Sequence, residues 1–211
     1  MHQAFVLAHT RLTEVPELPQ IRLHLADDAF ALWEETERHA GRCVLPPPFW
    51  AFAWPGGQAL ARYLLANPGV VAGRTVLDLG SGSGLTAIAA ALGGASAVLA
   101  SDPDPFAVAA IGLNATANRV QVSVTGDLLD GAGEAADIVL AADIWYERQL
   151  AARALGLLRR ARERGATALI ADVGRAYLPR AAMRVLTSYD VAVAADLEDT
   201  ATKRALVCTL R

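Results

Sequence analysis

The sequence is poor in cysteine, in long apolar runs and in excess positive charge, and each shortage excludes something. Only Cys43 and Cys208 occur in 211 residues. They lie far apart, so neither a disulfide framework nor a cysteine-based zinc site is expected, and the chain reads as cytoplasmic, from a reducing compartment. Hydrophobic residues make up 54% of the chain, yet alanine supplies much of this and no run approaches the ~18 apolar residues that span a bilayer. No basic segment accompanies the short apolar patch in MHQAFVLAHTRLTE, so no signal peptide and no membrane partner are expected. Lys and Arg number 19 against 22 Asp and Glu, a net charge of −3. Proteins that grip nucleic acid carry a basic surface that displaces counterions from phosphates, so that class of partner is disfavoured. The main basic cluster, Arg159, Arg160, Arg162 and Arg164, falls where a helix should end and reads as a solvated last turn complementing the helix dipole.

What is present is regular. Residues 1–45 read as an N-terminal extension: a short strand at Ile21–Ala26, an acidic helix at Asp28–His39, then the proline run Pro46–Pro48. Residues 46–211 read as one α/β domain. It opens with a helix near Gly57–Leu65. Strand-length apolar runs follow at Thr75–Leu79, Ala97–Ser101, Val120–Val124, Ile138–Ala142, Ala168–Ala171, Val191–Ala195 and Ala205–Leu210. Helically spaced apolar residues sit between the early strands, at Leu85–Leu92, Phe106–Leu113 and Leu150–Leu158. Near-continuous apolar strands separated by helices imply a mostly parallel sheet covered on both faces. The last two strands, joined through Glu198–Lys203, predict an antiparallel hairpin. The expected fold is therefore Rossmann-like, with seven strands and a C-terminal antiparallel hairpin.

The segment VLDLGSGSG, Val76–Gly84, carries the first chemical signal. Gly80, Ser81, Gly82 and Gly84 follow a strand and open a helix, where glycine lets the backbone turn tightly and approach a ligand. The spacing G-x-G-x-G departs from the dinucleotide G-x-G-x-x-G. Asp78, at the strand end, would repel a pyrophosphate but attract an ammonium, as on the methionine moiety of S-adenosylmethionine. Asp102 lies 22 residues after Gly80 and ends the second strand, where an acid accepts from both hydroxyls of a ribose. Asp102 or Asp104, ahead of Pro105, also suits a helix N-cap; the reading assigns the cap to Asp104 and the ribose to Asp102. Asp127 follows the third strand, placed either as acceptor for an adenine amine or as a turn residue beside Gly126.

Residues beyond the carboxyl ends of parallel strands line the crevice of open α/β sheets. After the fourth strand come Asp143, Ile144, Trp145 and Tyr146. Enzymes that methylate planar amide or adenine nitrogens carry an Asn/Asp-Pro-Pro-Tyr motif here; its prolines are missing, and an acid with a phenol suits a cationic amine acceptor. Asp143 either orients that amine or the cofactor, or caps the next helix. As a crevice residue it is expected to contribute little to the core.

The chain resembles the seven-strand, class I S-adenosylmethionine-dependent protein-lysine methyltransferases with a D-x-x-Y motif, and among them the family acting on the β subunit of electron transfer flavoprotein. The likeness rests on PFWAFAWPGGQALARYLL, VLDLGSGSGLTAIAAA, SDPDP and DIWYE, spread over Pro47–Val173. It implies S-adenosylmethionine as cofactor, S-adenosylhomocysteine as product and a protein substrate. It places Trp54, Pro103 and Leu128 beside the cofactor with the residues above, and Asp143 and Tyr146 at the acceptor. The motifs do not exclude a small-molecule, nicotinamide-like N-methyltransferase or a ribosomal-protein lysine methyltransferase, which stay open as alternatives.

Overall fold

The computed structural model describes residues 2–41, 43, 45–129, 136–193 and 201–211. Five parallel strands form the heart of one sheet: β3 (Thr75–Leu79), β4 (Ala97–Ser101), β5 (Ser123–Thr125), β6 (Ile138–Ala142) and β7 (Thr167–Asp172). Two longer strands, β8 (Met183–Ala192) and β9 (Thr202–Leu210), complete it in the order β5-β4-β3-β6-β7-β9-β8, with β9 antiparallel to both neighbours. The seven-strand Rossmann-like sheet and terminal hairpin are as expected.

Side-chain alternation separates two cores, because successive residues of a strand face opposite sides. Val76, Ile138, Leu140 and Leu169 face α3 (Pro55–Ala66), α4 (Leu85–Leu92) and part of α5 (Pro105–Ala117), whereas Leu77, Leu79, Val139 and Ala141 face α6 (Arg148–Glu163). Pro55 at the first helical position starts α3 with its φ already set. The arginines that end α6 are exposed, as the dipole reading requires.

Two strands lie elsewhere than their apolar runs suggested. Val120 lies in the turn that closes α5, its N–H donating to Ala115 O at 3.1 Å, and β5 begins only at Ser123. The edge strand β8 begins at Met183, eight residues before the expected Val191. Its sequence MRVLTSYDVA alternates burial because one side faces solvent, and a search for continuous apolar runs passes over such a strand. Ala194, Ala195 and Glu198–Thr200 lie outside the described residues.

The first 45 residues hold more than was expected. Helix α1 (His2–His9) was not foreseen, and the strand predicted at Ile21–Ala26 is β2 (Leu18–Leu25), the second arm of a hairpin with β1 (Arg11–Val15). Helix α2 (Ala29–Ala40) follows, capped by Asp28, whose carboxylate accepts from Ala31 N–H. Val15, Leu18, Ile21 and Leu23 are buried in the same core as α3 and α4, and Phe5, Val6 and Leu32 pack on α5. The hairpin is tied to the glycine loop through one side chain. Asn114, fully buried, accepts from His24 N–H at 2.7 Å and donates to Ser83 O at 2.8 Å.

Candidate active site

A single cavity of about 830 Å³ opens over the carboxyl ends of β3, β4 and β6. Gly80, Gly82 and Gly84 take φ of +60°, +54° and +84°, a left-handed region that L side chains enter only with strain. At Gly80 space is also closed, since a Cβ would sit 2.6 Å from the Ile144 side chain. Gly80, Ser81 and Gly82 line the cavity; Gly84 instead lies against Ile111 and caps α4.

Asp102 lines the cavity. One carboxylate oxygen accepts from Gly82 N–H at 2.8 Å and the other from Asp104 N–H at 3.0 Å. Each oxygen thus has capacity for a further hydrogen bond. Asp104 caps α5 by accepting from Phe106 N–H, as the cap assignment expected. Burial pushes the Asp102 carboxyl up to about 6, against the two backbone donors.

Asp78 departs from its expected place. It does not line the cavity; wholly buried, it accepts from Ser81 Oγ at 2.5 Å and Thr86 Oγ1 at 2.7 Å. Its work is to hold the glycine loop onto α4, and burial raises it too to about 6. Asp127 lines the far end, but its oxygens already accept from Leu129 N–H (2.9 Å) and Arg153 (2.7 Å). Those donors outweigh burial and lower its pKa. Pro103 lines the cavity, whereas Leu128 packs into the core beneath and its neighbour Leu129 takes the lining position.

At the other end stands an aromatic mouth. Trp54 donates from its indole to Phe49 O at 2.8 Å, and the Phe49 ring lies 5.7 Å from Trp54 and 5.4 Å from Tyr146. Tyr146 is 47% exposed, which puts this end of the cavity at the surface. Burial of its ring raises its pKa, with Asp102 and Glu147 adding to the effect.

Asp143 corrects the expectation of an exposed crevice acid. Its side chain is only 10% exposed and makes an ion pair with Arg175 at 2.5 Å. The second oxygen accepts from Gly57 N–H at 2.7 Å, at the positive end of α3. Asp143 itself sits at φ +59°. It caps α3, an element distant in sequence, and not the α6 that follows it. Burial drives its carboxyl up to about 6, with Arg175 opposing.

Sequence reasoning missed Arg175. The rule that picked out Asp143, residues just past a parallel strand, applies equally to Asp172–Arg175 after β7. Phe49, Thr36 and His39 also line the cavity. The last two come from the segment read as an extension, and they carry no motif that marks them.

This arrangement has relatives. An electron transfer flavoprotein beta subunit lysine methyltransferase from Xenopus laevis is 41% identical over 179 residues, covering 82% of this chain and 71% of that protein. The chain belongs to this family. The Danio rerio member is 40% identical over 176 residues, covering 82% of this chain and 67% of its own. A family model for ribosomal protein L11 methyltransferase (PrmA) matches residues 58–147, the stretch from α3 through the glycine loop to the mouth. A crystal structure of magnesium protoporphyrin IX methyltransferase from Synechocystis with bound SAH shares the fold, with a TM-score of 0.55 at 16% identity over 74% of this chain and 82% of that one. The chain is therefore a methyltransferase.

Proposed function

We propose that this methyltransferase transfers the methyl group of S-adenosylmethionine to a lysine side chain of a protein, and that the protein is the β subunit of electron transfer flavoprotein. What supports the reading is a cavity lined both by a buried carboxylate, Asp102, and by an aromatic cluster of Phe49, Trp54 and Tyr146 whose tyrosine is exposed at the surface. The residues fit the cofactor. Asp102 keeps spare lone pairs for ribose hydroxyls, Gly80 and Gly82 keep the floor clear of side chains, and Pro103, Leu129 and Asp127 border the end suited to adenine. Bound there, S-adenosylmethionine supplies an activated methyl on a sulfonium.

The protein's own task is to present a neutral amine. A free lysine near pKa 10.4 is uncharged only about one part in a few thousand at pH 7. The apolar walls of the mouth push that pKa down. Because Asp143 is already paired with Arg175, its own pull toward the ammonium form of the amine is offset. Tyr146 shapes the opening with Phe49, and the exposed rim suits a side chain projecting from a protein better than a free metabolite. The partner's lysine must reach within about 3 to 3.5 Å of the methyl carbon, so it should lie on a protruding segment.

Incubating the recombinant flavoprotein with enzyme and S-adenosylmethionine, followed by peptide mass spectrometry, tests the reading. Added methyls on lysine are expected. Turnover of nicotinamide, or methylation of a ribosomal protein, with none on the flavoprotein would reassign the acceptor.

A further inference from the structure

Between the aromatic mouth and the sheet lies a cluster that the cofactor reading leaves unused. Asp172, at the end of β7, is wholly buried. One of its oxygens accepts from the N–H groups of Gly174 and Arg175, each at 2.6 Å. The turn so formed returns the Arg175 side chain over the sheet, where Nη1 meets Asp143 Oδ1 at 2.5 Å and Asp172 Oδ2 at 3.0 Å. The guanidinium carbon stands 5.9 Å from the centre of the Trp54 ring. From the opposite side, Asp143 Oδ2 takes the Gly57 N–H. The approach is so close that a Cβ on Gly56 would lie 2.7 Å from that oxygen. Three segments far apart in sequence, Trp54–Gly57, Asp143 and Asp172–Arg175, thus meet at one guanidinium.

We propose that Arg175 is a positioning residue: it clamps the Asp143 carboxylate against the amino end of α3, holds the Trp54 turn in register with the cavity, and cancels the Asp143 charge where the acceptor amine arrives. The part concerning the amine rests on the lysine methyltransferase reading above; the clamp itself does not. An unclamped Asp143 would favour the ammonium form of the acceptor and so oppose methyl transfer. A lysine at 175 would keep the charge but reach only one carboxylate as a point donor, whereas one guanidinium spans both. The charged groups facing Asp143 are Arg175 and Asp172, with the amino end of α3 across from them; those facing Tyr146 are Asp102, Glu147 and Arg175.

The test compares Arg175→Gln and Arg175→Lys in the full chain, with two readouts. The first is kcat at saturating acceptor against pH, which reports ionisations in the enzyme–acceptor complex. In Arg175→Gln the rising limb, which reports loss of the amine proton, should move to higher pH by about one unit, an approximately tenfold loss at a fixed pH on that limb. Arg175→Lys should restore the limb while leaving kcat reduced. The second needs no acceptor: carbon-13 carboxyl NMR of aspartate-labelled enzyme, with Asp143 identified as the resonance lost in Asp143→Asn. Its titration should move to higher pH in Arg175→Gln. If the glutamine variant does not fold, Arg175→Met, which keeps an aliphatic stem and removes the same charge, is read in the same two ways. A limb and a resonance both at their wild-type positions would overturn the clamp. If the wild-type enzyme methylates no lysine at all, the acceptor reading falls and the carboxyl titration alone decides the clamp.

Discussion

At the scale of single residues, the three acids of the site, Asp78, Asp102 and Asp143, do unlike work although all three are raised to about 6 by burial. Asp102 and Asp143 line the cavity and Asp78 does not; of the two, Asp143 is paired with Arg175, whereas Asp102 is held by backbone N–H groups. Asp102→Asn should weaken S-adenosylhomocysteine binding by about ten- to a hundredfold, since a hydrogen bond to a charged group contributes about 1.5–3 kcal/mol. Isothermal calorimetry measures it; an unchanged affinity with a lower melting temperature would make Asp102 a loop anchor only. Asp143→Ala carries a different expectation. It leaves Gly57 N–H and part of Arg175 without a partner, so stability should fall by about 1.5–3 kcal/mol, visible in urea unfolding, along with turnover. A melting temperature equal to wild type would show that the buried pairing contributes nothing. Tyr146→Phe tests the remaining candidate. Because the ring packs on Phe49 at 5.4 Å, the phenylalanine variant should keep most of its turnover and Tyr146→Ala should lose it; the reverse for phenylalanine would assign the chemistry to the hydroxyl.

Among the elements, legibility followed burial on two faces. Strands β3, β4 and β6 lie within continuous apolar runs and stand where the sequence put them, as do α3, α4 and the N-cap of α5. The edge strand β8 reads as an alternation mixed with polar residues, and β1 consists of RLTEV with only Val15 buried, so neither rises above a loop by composition. The candidate site divides in the same way. Glycines and acids at the ends of local motifs are readable, whereas Arg175 reaches Asp143 across 32 residues and Asn114 reaches His24 across 90, distances that no local pattern encodes. Asn114 is the sharper case, because it joins β2, α5 and the glycine loop with two buried hydrogen bonds. Asn114→Ala should destabilise the fold by about 1–3 kcal/mol through the unpaired groups it leaves. It should also loosen cofactor binding, since the bond to Ser83 O steadies the loop. Hydrogen exchange at the amides of residues 80–84 is the measurement. Exchange there as slow as in wild type would mean that Asn114 serves the hairpin alone.

For the molecule as a whole, the buried acids set an unusual dependence on pH. An acid whose folded pKa lies above its unfolded value of about 3.9 binds more protons in the native state than in the unfolded one, so unfolding free energy decreases as pH rises across that interval. Asp78, Asp102 and Asp143 all have this sign, with folded values of about 6, and together they should make the ligand-free enzyme more stable at pH 5 than at pH 7. The opposite sign belongs to Asp127, Asp137 and Asp190, which their partners lower. Their contribution is present above about 3.9 and is lost as pH falls below it. A stability maximum between about pH 4 and 5 is therefore expected for the free protein. Ligand should reverse part of this. Ribose hydroxyls donating to Asp102 favour its ionised form, so binding should release protons near pH 6, and affinity should fall as the solution is acidified below that point. Thermal melts from pH 4.5 to 8, with and without saturating S-adenosylhomocysteine, bring the two halves together. The stabilisation given by ligand should shrink steadily toward low pH while the free protein's melting temperature rises. A free enzyme that melts at progressively lower temperature from pH 7 to 5 would mean that these carboxylates are not held neutral by the fold, and a ligand effect independent of pH would remove Asp102 from the ribose.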